Sequence, residues 1–389
     1  MRRPAPNLAI GSRIQIRAEE LVAGGEALAR LDGFPIFVPG LYPGDLAVVE
    51  LAEVKAGFAR ATAVEIVEAS VLRRESPCPV AHECGGCDWT SLRLDEQLRA
   101  KRRILLESLR RVGKFPATRL PSVTVYPSPL NYRIRSRLHM KNGAMGFYAE
   151  RSHRVVPLPA ECEVVGPNVL RDLEQLRSLA QKDDGSIETF ERDHLLTISQ
   201  GGELEVSIEV RGIPYLLSTA SFFQVNRHLA GTMIDLVTAQ AAALERRDLA
   251  LDLYAGVGFF ALPLAEHFKE IIAVESSPAS SRYARKNAAA FSSIAISTRT
   301  SEDFLRSFER QADFTMVDPP RAGLSVEVIE RISSITREKI CYLSCDPVTF
   351  SRDASRLERR GWRLTTLDLL DLFPNTHHIE TLSSFERVE

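Results

Sequence analysis

The sequence predicts a multidomain α/β protein whose C-terminal part is a doubly wound, Rossmann-like sheet. Two observations support this prediction. From residue 249 onwards, apolar runs of strand length alternate with helical patterns, as in a parallel sheet with crossover helices. The first run, 249–254, leads into Gly256 and Gly258, and the next strand, 270–274, ends at Glu275. A tight glycine turn followed one strand later by an acid is typical of a nucleotide-type ligand site.

The glycine turn suits either S-adenosylmethionine or a dinucleotide, because Glu275 can accept hydrogen bonds from a ribose diol in both. No third glycine follows in dinucleotide spacing at Phe259 or beyond. This difference favours S-adenosylmethionine. An ordinary strand-to-helix turn without a ligand is the alternative, and the acid after the second strand argues against it.

Functional groups also follow the later strands at the points where those strands end. A fourth strand ends in Asp318-Pro-Pro-Arg321 and a fifth in Cys345-Asp-Pro347. Open α/β sheets bind ligands at the carboxyl ends of their strands, so these groups should lie near the glycine turn. Cys345 stands at the strand exit and is the candidate nucleophile, whereas Cys341, at the start of the same strand, is expected in the core. The sequence does not show which group would activate the Cys345 thiolate.

Residues 1–70 are predicted to form a small β-barrel of the oligonucleotide-binding type. Short apolar strands alternate with turns that contain Gly or Pro, at 12–18, 34–38, 47–54 and 59–67. A generic barrel packed on its neighbour fits the pattern equally well. Four arginines precede the first acid and favour RNA binding by the barrel, namely Arg2, Arg3, Arg13 and Arg17.

A cysteine cluster follows the predicted barrel. Cys78, Cys84 and Cys87 fall within ten residues, and Cys162 is the one other cysteine outside the C-terminal domain. In a reducing compartment this spacing indicates a metal site. Four thiolates suit structural zinc or a [4Fe–4S] cluster, and a triplet with one distant cysteine favours the cluster. A site without metal is the alternative; His82 is a possible substitute ligand but is better assigned to a solvated loop.

Two basic segments lie in the predicted central domain. An amphipathic helix over 93–119 carries nine Lys and Arg residues against three acids. In the strand that follows, Arg133, Arg135 and Arg137 alternate and therefore share one face. RNA phosphate is the natural partner for such cations. The alternatives are a solvated face for the helix and, for the strand, pairing with nearby acids, namely Glu150, Glu161 or Glu163.

The 389 residues and the net charge of -2 are ordinary for a globular protein of two or three domains. We expect the boundaries 1–70, 71–213 and 214–389. No apolar run approaches the roughly 20 residues that span a membrane, and no long apolar segment follows Met1. The expectation is therefore a cytoplasmic, monomeric protein without a membrane partner.

Five sequence features belong together. They are the four cysteines, Ser221-Phe-Phe-Gln224-Val-Asn226, Asp318-Pro-Pro-Arg321, Ser344-Cys345-Asp-Pro347 and Phe373-Pro-Asn-Thr-His-His-Ile-Glu380. Together they resemble the RNA uracil-5 methyltransferases, and more specifically the iron–sulfur members that begin with a TRAM domain and methylate 23S ribosomal RNA. The resemblance extends in the right order over nearly the whole chain. Two positions depart from it, because Phe259 replaces a small polar residue of many members and Asn375 replaces a frequent histidine.

The resemblance implies a function and the residues that carry it. It implies S-adenosylmethionine-dependent formation of 5-methyluridine in RNA, with Cys345 as the nucleophile and Glu380 as the base. The residues implied for the methyl donor are Gln224, Tyr254, Glu275 and Asp318, beside Gly256 of the turn. The residues implied for the [4Fe–4S] cluster are Cys78, Cys84, Cys87 and Cys162. Methylation of a transfer RNA uracil stays an alternative, as does a non-catalytic RNA-binding iron–sulfur protein.

The chemistry explains why such residues are needed. Uracil C5 is a weak nucleophile, and thiolate addition at C6 converts C5 into an enolate carbon that takes the methyl group. A carboxylate must then remove the C5 proton so that Cys345 can leave. A uracil inside paired RNA would be flipped out and stacked. Phe222, Phe223 or His378 could supply the stacking, although the alternative for each is a place in the core.

Overall fold

The computed structural model describes residues 8–180, 184–192, 195–199 and 202–388. Within these ranges the chain forms an N-terminal barrel, an antiparallel sheet in the middle and a large mixed sheet at the C-terminal end. Arg2 and Arg3, two of the four arginines expected to favour RNA, lie outside the described residues. No helix in the described part is both long and apolar enough to cross a membrane.

The first five strands close into a barrel in the order β1-β2-β3-β5-β4. They are β1 (Arg13–Leu21), β2 (Ala27–Leu31), β3 (Phe34–Val38), β4 (Leu46–Val54) and β5 (Ala59–Glu68). Alternate residues such as Ile36, Val38 and Val49 point inward and are fully buried. The small N-terminal barrel is confirmed. Strand β2 was not predicted, because its sequence Ala-Leu-Ala-Arg-Leu lacks β-branched and aromatic residues.

A long helix links the barrel to the rest of the molecule. Helix α1 (Leu94–Arg111) buries Ile104, Leu105 and Leu109 along one side. Its first turn holds acids and its last turn holds Arg110 and Arg111, which complements the helix dipole. A short 3₁₀ helix (Ala117–Arg119) and strand β6 (Val123–Tyr126) follow.

The middle of the chain forms a five-stranded sheet in the order β11-β10-β7-β8-β9, in which all neighbours are antiparallel. Its strands are β7 (Arg135–Lys141), β8 (Ala144–Tyr148), β9 (Val155–Pro157), β10 (Gly185–Arg192) and β11 (Leu195–Ser199). Between β9 and β10 the chain forms α2 (Pro167–Arg171) and α3 (Leu173–Ala180). A hairpin of β12 (Glu205–Val210) and β13 (Ile213–Ser218) then leads to the C-terminal sheet.

The C-terminal sheet has eight strands in the order β16-β15-β14-β17-β18-β20-β19-β6. Its strands are β14 (Leu249–Leu253), β15 (Glu270–Val274), β16 (Ile294–Ser297), β17 (Ala312–Val317), β18 (Thr336–Ser344), β19 (Trp362–Leu370) and β20 (Glu380–Arg387), besides β6. Its helices are α4 (Ala230–Ala242), α5 (Ala261–Leu264), α6 (Pro278–Ala288), α7 (Ser301–Ser307), α8 (Val326–Ile335) and α9 (Pro347–Glu358). The predicted alternation of strand and helix is confirmed.

The order of the strands in the C-terminal sheet indicates where a ligand would bind. Strands β14 to β18 run parallel, and the order reverses between β14 and β17, where open α/β sheets bind their ligands. Strands β14 and β17 are buried along their whole length, as expected when both faces of a parallel sheet are covered. The domain boundaries stay predictions, and β6, from the predicted central domain, pairs with β19 in the C-terminal sheet.

Candidate active site

The glycine turn and the acid predicted to accompany it lie together. Glu275 accepts hydrogen bonds from the Gly256 amide at 2.8 Å and from the Ser277 amide at 2.6 Å. Gly256 and Gly258 adopt φ of 58° and 89°, which glycine tolerates without steric cost. Tyr254 adopts φ of 64°, which is rare for a bulky residue and marks a constrained position. Burial raises the pKa of Tyr254 to about 12.

Three carboxyl groups surround this turn. Asp252 is fully buried in β14, and neither of its carboxyl oxygens has a hydrogen-bond partner among the described residues. Burial, reinforced by Asp318, raises the pKa of Asp252 well above its usual range. Burial and then Glu275 raise the pKa of Asp318 to about 7. Such an acidic pocket is stabilised by a positively charged ligand, because a nearby cation favours the ionised carboxylates.

Cys345 and Glu380 meet at the same edge of the sheet. We call these two residues, together with Asp318 and Arg321, the reaction edge. Cys345 follows β18 directly, and Glu380 begins the antiparallel neighbour β20, in which Thr381 pairs with Ser344. An antiparallel strand presents its first residue where its neighbour presents its last. The nucleophile and the base predicted from sequence are therefore adjacent.

Burial dominates the protonation of both groups. It raises the pKa of Glu380 to about 8, with a further contribution from Asp318 and opposition from Arg321 and Lys101. It also raises the pKa of the Cys345 thiol to about 11, with Glu380 and Asp318 adding to the effect and Arg321 opposing it. In the free protein both groups therefore favour their neutral forms near pH 7.

Arg321 lies beside these two groups, and the sequence assigned it no role of its own. Its Nη2 lies 3.2 Å from Nδ1 of His378, and its positive charge lowers the pKa values of both Cys345 and Glu380. Burial, then His377 and Arg321, lower the pKa of His378 to about 4, so this imidazole is neutral. The motif Asp318-Pro-Pro-Arg321 marked the residue, but its role depends on the pairing of β17 with β18.

The other predicted residues divide into core and surface. Gln224 is buried after β13, and its neighbour Phe223 packs edge-on against Phe259 of the glycine turn at 5.5 Å. Phe223 is therefore a core residue, which was the stated alternative to stacking on RNA, whereas Phe222 is 64% exposed. Cys341 is fully buried and lies 3.4 Å from the Ser384 hydroxyl, which confirms its place in the core.

The four cysteines predicted as metal ligands line one cavity of about 60 Å³, the cysteine cavity. The loop that carries Cys84 lies on β8, where the Gly85 amide donates to the Tyr148 carbonyl at 2.9 Å. As the side chains stand, no three or more His, Cys, Asp or Glu residues in the described ranges are arranged to hold a metal ion. The His82 side chain is 75% exposed, as expected for a solvated loop histidine.

A half-buried cation faces this cavity. Arg133 lines it, and its Nε is buried without a hydrogen-bond partner in the part of the chain that the structure describes. Burial raises the pKa values of the Cys87 and Cys162 thiols, and the charge of Arg133 opposes this effect. The donor set and the orphaned guanidinium nitrogen therefore fit an anionic thiolate centre better than four neutral thiols.

The predicted face of three free arginines is wrong. Arg135 and Arg137 both pair with the buried Glu188, Arg135 at 2.7 Å, and Arg133 faces the cysteine cavity instead. Pairing was the stated alternative, but with other acids. Glu188 was missed because it reaches Arg137 through the register of β10 with β7, which no local pattern shows.

The basic helix also differs from its predicted role. Lys101 is fully buried and donates to Asp371 Oδ1 at 2.5 Å and to the Phe373 carbonyl at 3.0 Å. Arg99 and Arg110 pair with acids one turn away on the same helix. The stated alternative, a solvated helix face, describes these arginines better than a row of free cations does.

Comparison with known proteins decides the family. The chain is 30% identical over 386 residues to an RNA methyltransferase of Bdellovibrio bacteriovorus described as uncharacterized, covering 96% of this chain and 95% of that protein. The family model for tRNA (uracil-5-)-methyltransferase matches residues 202–388, and the TRAM domain model matches residues 8–64. The chain belongs to the RNA uracil-5 methyltransferase family.

Two further relatives extend over the whole length of this methyltransferase. It is 28% identical to the 23S rRNA (uracil(1939)-C(5))-methyltransferase RlmD of Shewanella woodyi, covering 99% of this chain and 98% of that protein. It shares its fold with the Pyrococcus abyssi tRNA (uracil-54, C5)-methyltransferase, solved in complex with S-adenosyl-L-homocysteine, at 24% identity and a TM-score of 0.73. That likeness covers 96% of this chain and 100% of the other. The protein is an S-adenosylmethionine-dependent RNA uracil-5 methyltransferase with an N-terminal TRAM domain.

Proposed function

We propose that this methyltransferase forms 5-methyluridine in 23S ribosomal RNA through a covalent intermediate between Cys345 and uracil C6. The observation that carries the mechanism is the meeting of Cys345 and Glu380 at one sheet edge beside Arg321. The choice of RNA is supported by full-length relatives whose names specify 23S rRNA, from Shewanella woodyi and Legionella pneumophila. Transfer RNA is the second candidate, since the Pyrococcus abyssi enzyme of the same fold is named for it.

The roles follow from the electrostatics of the reaction edge. The Cys345 thiol must ionise before it adds to C6, and Arg321 favours the thiolate because it lowers the thiol pKa. Addition makes C5 nucleophilic, and C5 takes the methyl group from the donor sulfonium. Glu380 then removes the C5 proton, and the Cys345–C6 bond breaks to release 5-methyluridine. A buried carboxylate with a raised pKa is a stronger base than an exposed one.

The methyl donor is proposed to bind at the glycine turn. Its contacts are Gln224, Tyr254, Gly256, Glu275 and Asp318. The three carboxyl groups around the turn support this assignment, because S-adenosylmethionine carries a positive sulfonium and the product does not. Loss of that charge on transfer weakens the attraction and assists exchange of product for donor.

Cys78, Cys84, Cys87 and Cys162 are proposed to hold a [4Fe–4S] cluster. The cysteine cavity has several times the roughly 10–15 Å³ that one water molecule needs, so it offers room for more than a single ion. Arg133 supplies the positive charge that four thiolates require. The group ties the 78–87 loop to the segment around Cys162. Structural zinc is the competing occupant.

The experiment that tests the substrate maps 5-methyluridine in ribosomal and transfer RNA from cells with and without the gene. Loss of one 5-methyluridine from 23S rRNA, restored by the wild-type gene but not by Cys345→Ala, is the expected result. Loss of 5-methyluridine from a transfer RNA alone would replace 23S rRNA as the proposed substrate. The proposed covalent mechanism would be unaffected.

A further inference from the structure

The loop of residues 373–378 leads into Glu380 and is held by other parts of the chain. At its centre Asn375 is fully buried, with φ of 66°. Its backbone amide donates to Gln97 Oε1 at 2.8 Å, and its side-chain Nδ2 donates to Glu163 Oε2 at 2.9 Å. Its carbonyl accepts from the Trp89 amide at 2.9 Å. The conformation of this loop is therefore set by contacts distant in sequence.

Several of these partners are sequence neighbours of the cysteines. Asp88 and Trp89 follow Cys87 directly, and Glu163 follows Cys162. The Asp88 carboxylate accepts from the His377 amide at 3.1 Å and lies 2.7 Å from Nδ1 of His377. Glu163 and Asn375 themselves line the cysteine cavity. Two of the four cysteines are thus one residue away from a group that holds the loop.

A residue of the N-terminal barrel, Gly25, contacts the loop and Trp89 from another side. Trp89 Nε1 donates to the Gly25 carbonyl at 3.1 Å. A Cβ at Gly25 would lie 2.8 Å from Cβ of His377 and 2.6 Å from Oδ2 of Asp88, so no larger residue fits there. The loop has little room to move while the segment after Cys87 is in place.

We propose that the four-cysteine centre positions Glu380 through this loop, with Asp88, Glu163 and Asn375 as positioning residues. A metal centre fixes the segment after Cys87 relative to the segment after Cys162, and these two segments hold Asn375 and His377. When the centre is lost, the loop moves and Glu380 is displaced from the C5 proton. Addition of the Cys345 thiolate to C6 and methyl transfer to C5 continue, whereas release of the product slows. The inference rests on the roles proposed above for Glu380 and for the four cysteines.

Hydrogen exchange on the RNA-free protein tests the physical link without depending on the reaction. The variant is Asp88→Ala, which removes both contacts with His377 at a site where the acid is 41% exposed. The matched control is Glu83→Ala: Glu83 adjoins Cys84, is 39% exposed and pairs with Arg154 at 2.8 Å. We expect exchange in a peptide covering 373–380 to be roughly 2- to 10-fold faster in Asp88→Ala and in chelator-treated wild type. Exchange in Glu83→Ala should stay at the wild-type rate.

A second measurement asks whether the link reaches Glu380. With ordinary uridine RNA, Asp88→Ala should accumulate a methylated protein–RNA adduct and show a lower kcat at unchanged KM for RNA. Asp88→Asn, which keeps an acceptor for the His377 amide, should fall between Asp88→Ala and wild type. Iron and sulfide content is measured in every variant, so that loss of the centre and loss of the contact are told apart.

Two outcomes would overturn the inference. One is wild-type exchange of 373–380 in both Asp88→Ala and the chelator-treated protein. The other is a parallel fall of all steps without adduct, which a general loss of folded protein would produce. If Glu380→Gln also forms no adduct, the proposed base is wrong, and the exchange data alone decide whether the cysteine centre holds the loop.

Discussion

At both the reaction edge and the cysteine cavity, burial raises the pKa values of ionisable side chains. The neighbouring charges that the two regions are compared by have opposite signs. At the reaction edge, burial and neighbouring acids raise the pKa values of Glu380 to about 8 and of Asp318 to about 7. At the cysteine cavity, the facing charge is the half-buried guanidinium of Arg133, which lowers thiol pKa values that burial has raised. One region favours a cationic ligand and the transfer of protons; the other favours thiolates and a bound metal.

This difference predicts how each region responds to substitution. Changes at the reaction edge should alter single chemical steps in a protein that stays folded. Changes at the cysteine cavity should alter stability and metal content first, and chemistry only through the loop before Glu380.

The largest effect is expected for the nucleophile. Cys345→Ala should reduce kcat by about 10⁴-fold or more, because no covalent route remains. The control is Cys341→Ala on the same strand, which removes a buried thiol away from the edge and should keep kcat near the wild-type value. Methyl transfer from labelled S-adenosylmethionine to RNA measures both. Comparable rates for the two variants would remove Cys345 from the mechanism.

The next largest effect is expected for the base. Glu380→Gln keeps the shape of the side chain but cannot accept the proton, so kcat should fall by about 10²- to 10⁴-fold. Because addition and methyl transfer precede this step, methylated RNA should remain attached to the protein on a denaturing gel. Rapid turnover without adduct would assign the base to another carboxylate, and Asp318 is then the next candidate.

The raised pKa of Glu380 predicts a pH dependence. The residue acts only when ionised, so the rate at which the methylated adduct breaks down should rise about tenfold per unit below pH 8 and level off above it. Single-turnover quenching at a series of pH values measures this rate. A rate that is flat from pH 6 to pH 8 would show that Glu380 is already ionised in the complex.

A smaller effect on chemistry is expected at the cysteine cavity. Cys84→Ala should lose iron and sulfide and unfold at a lower temperature, by at least roughly the 2–4 °C that a single kcal/mol produces in a domain of about 150–250 residues. Thermal unfolding and metal analysis of protein purified without oxygen test this together. Stoichiometric zinc with no iron in the wild-type protein would contradict the iron–sulfur cluster. The proposal that the four cysteines bind a metal would still hold.

Part of the reaction edge could be predicted from sequence, because two of its groups stand just past the end of an apolar strand. Cys345 and Asp318 follow that rule, as does Glu275 at the glycine turn. Glu380 breaks it by standing at the start of its strand, and the family resemblance rather than the periodicity identified it. The antiparallel direction of β20 explains its place.

The surroundings of the cysteines could not be predicted in the same way. The four candidate ligands were visible in the spacing, but the facing charge of Arg133 and the pairing of Glu188 with Arg137 depend on strand register. From the sequence, Lys101 was interpreted as one more cation of a basic helix. In the structure it is buried against Asp371, which lies 270 positions later in the chain. Such contacts between distant segments leave no local pattern.

The central claim is that Cys345 forms a bond to uracil C6 that Glu380 later helps to break. RNA with 5-fluorouridine at the target tests it most directly, because fluorine at C5 cannot be removed as a proton and the reaction stops after methyl transfer. We predict a stable adduct with the wild-type protein and with Cys341→Ala, and peptide mapping should place it on Cys345. Cys345→Ala should form none. An adduct that survives in Cys345→Ala, or that maps to another residue, would contradict the mechanism.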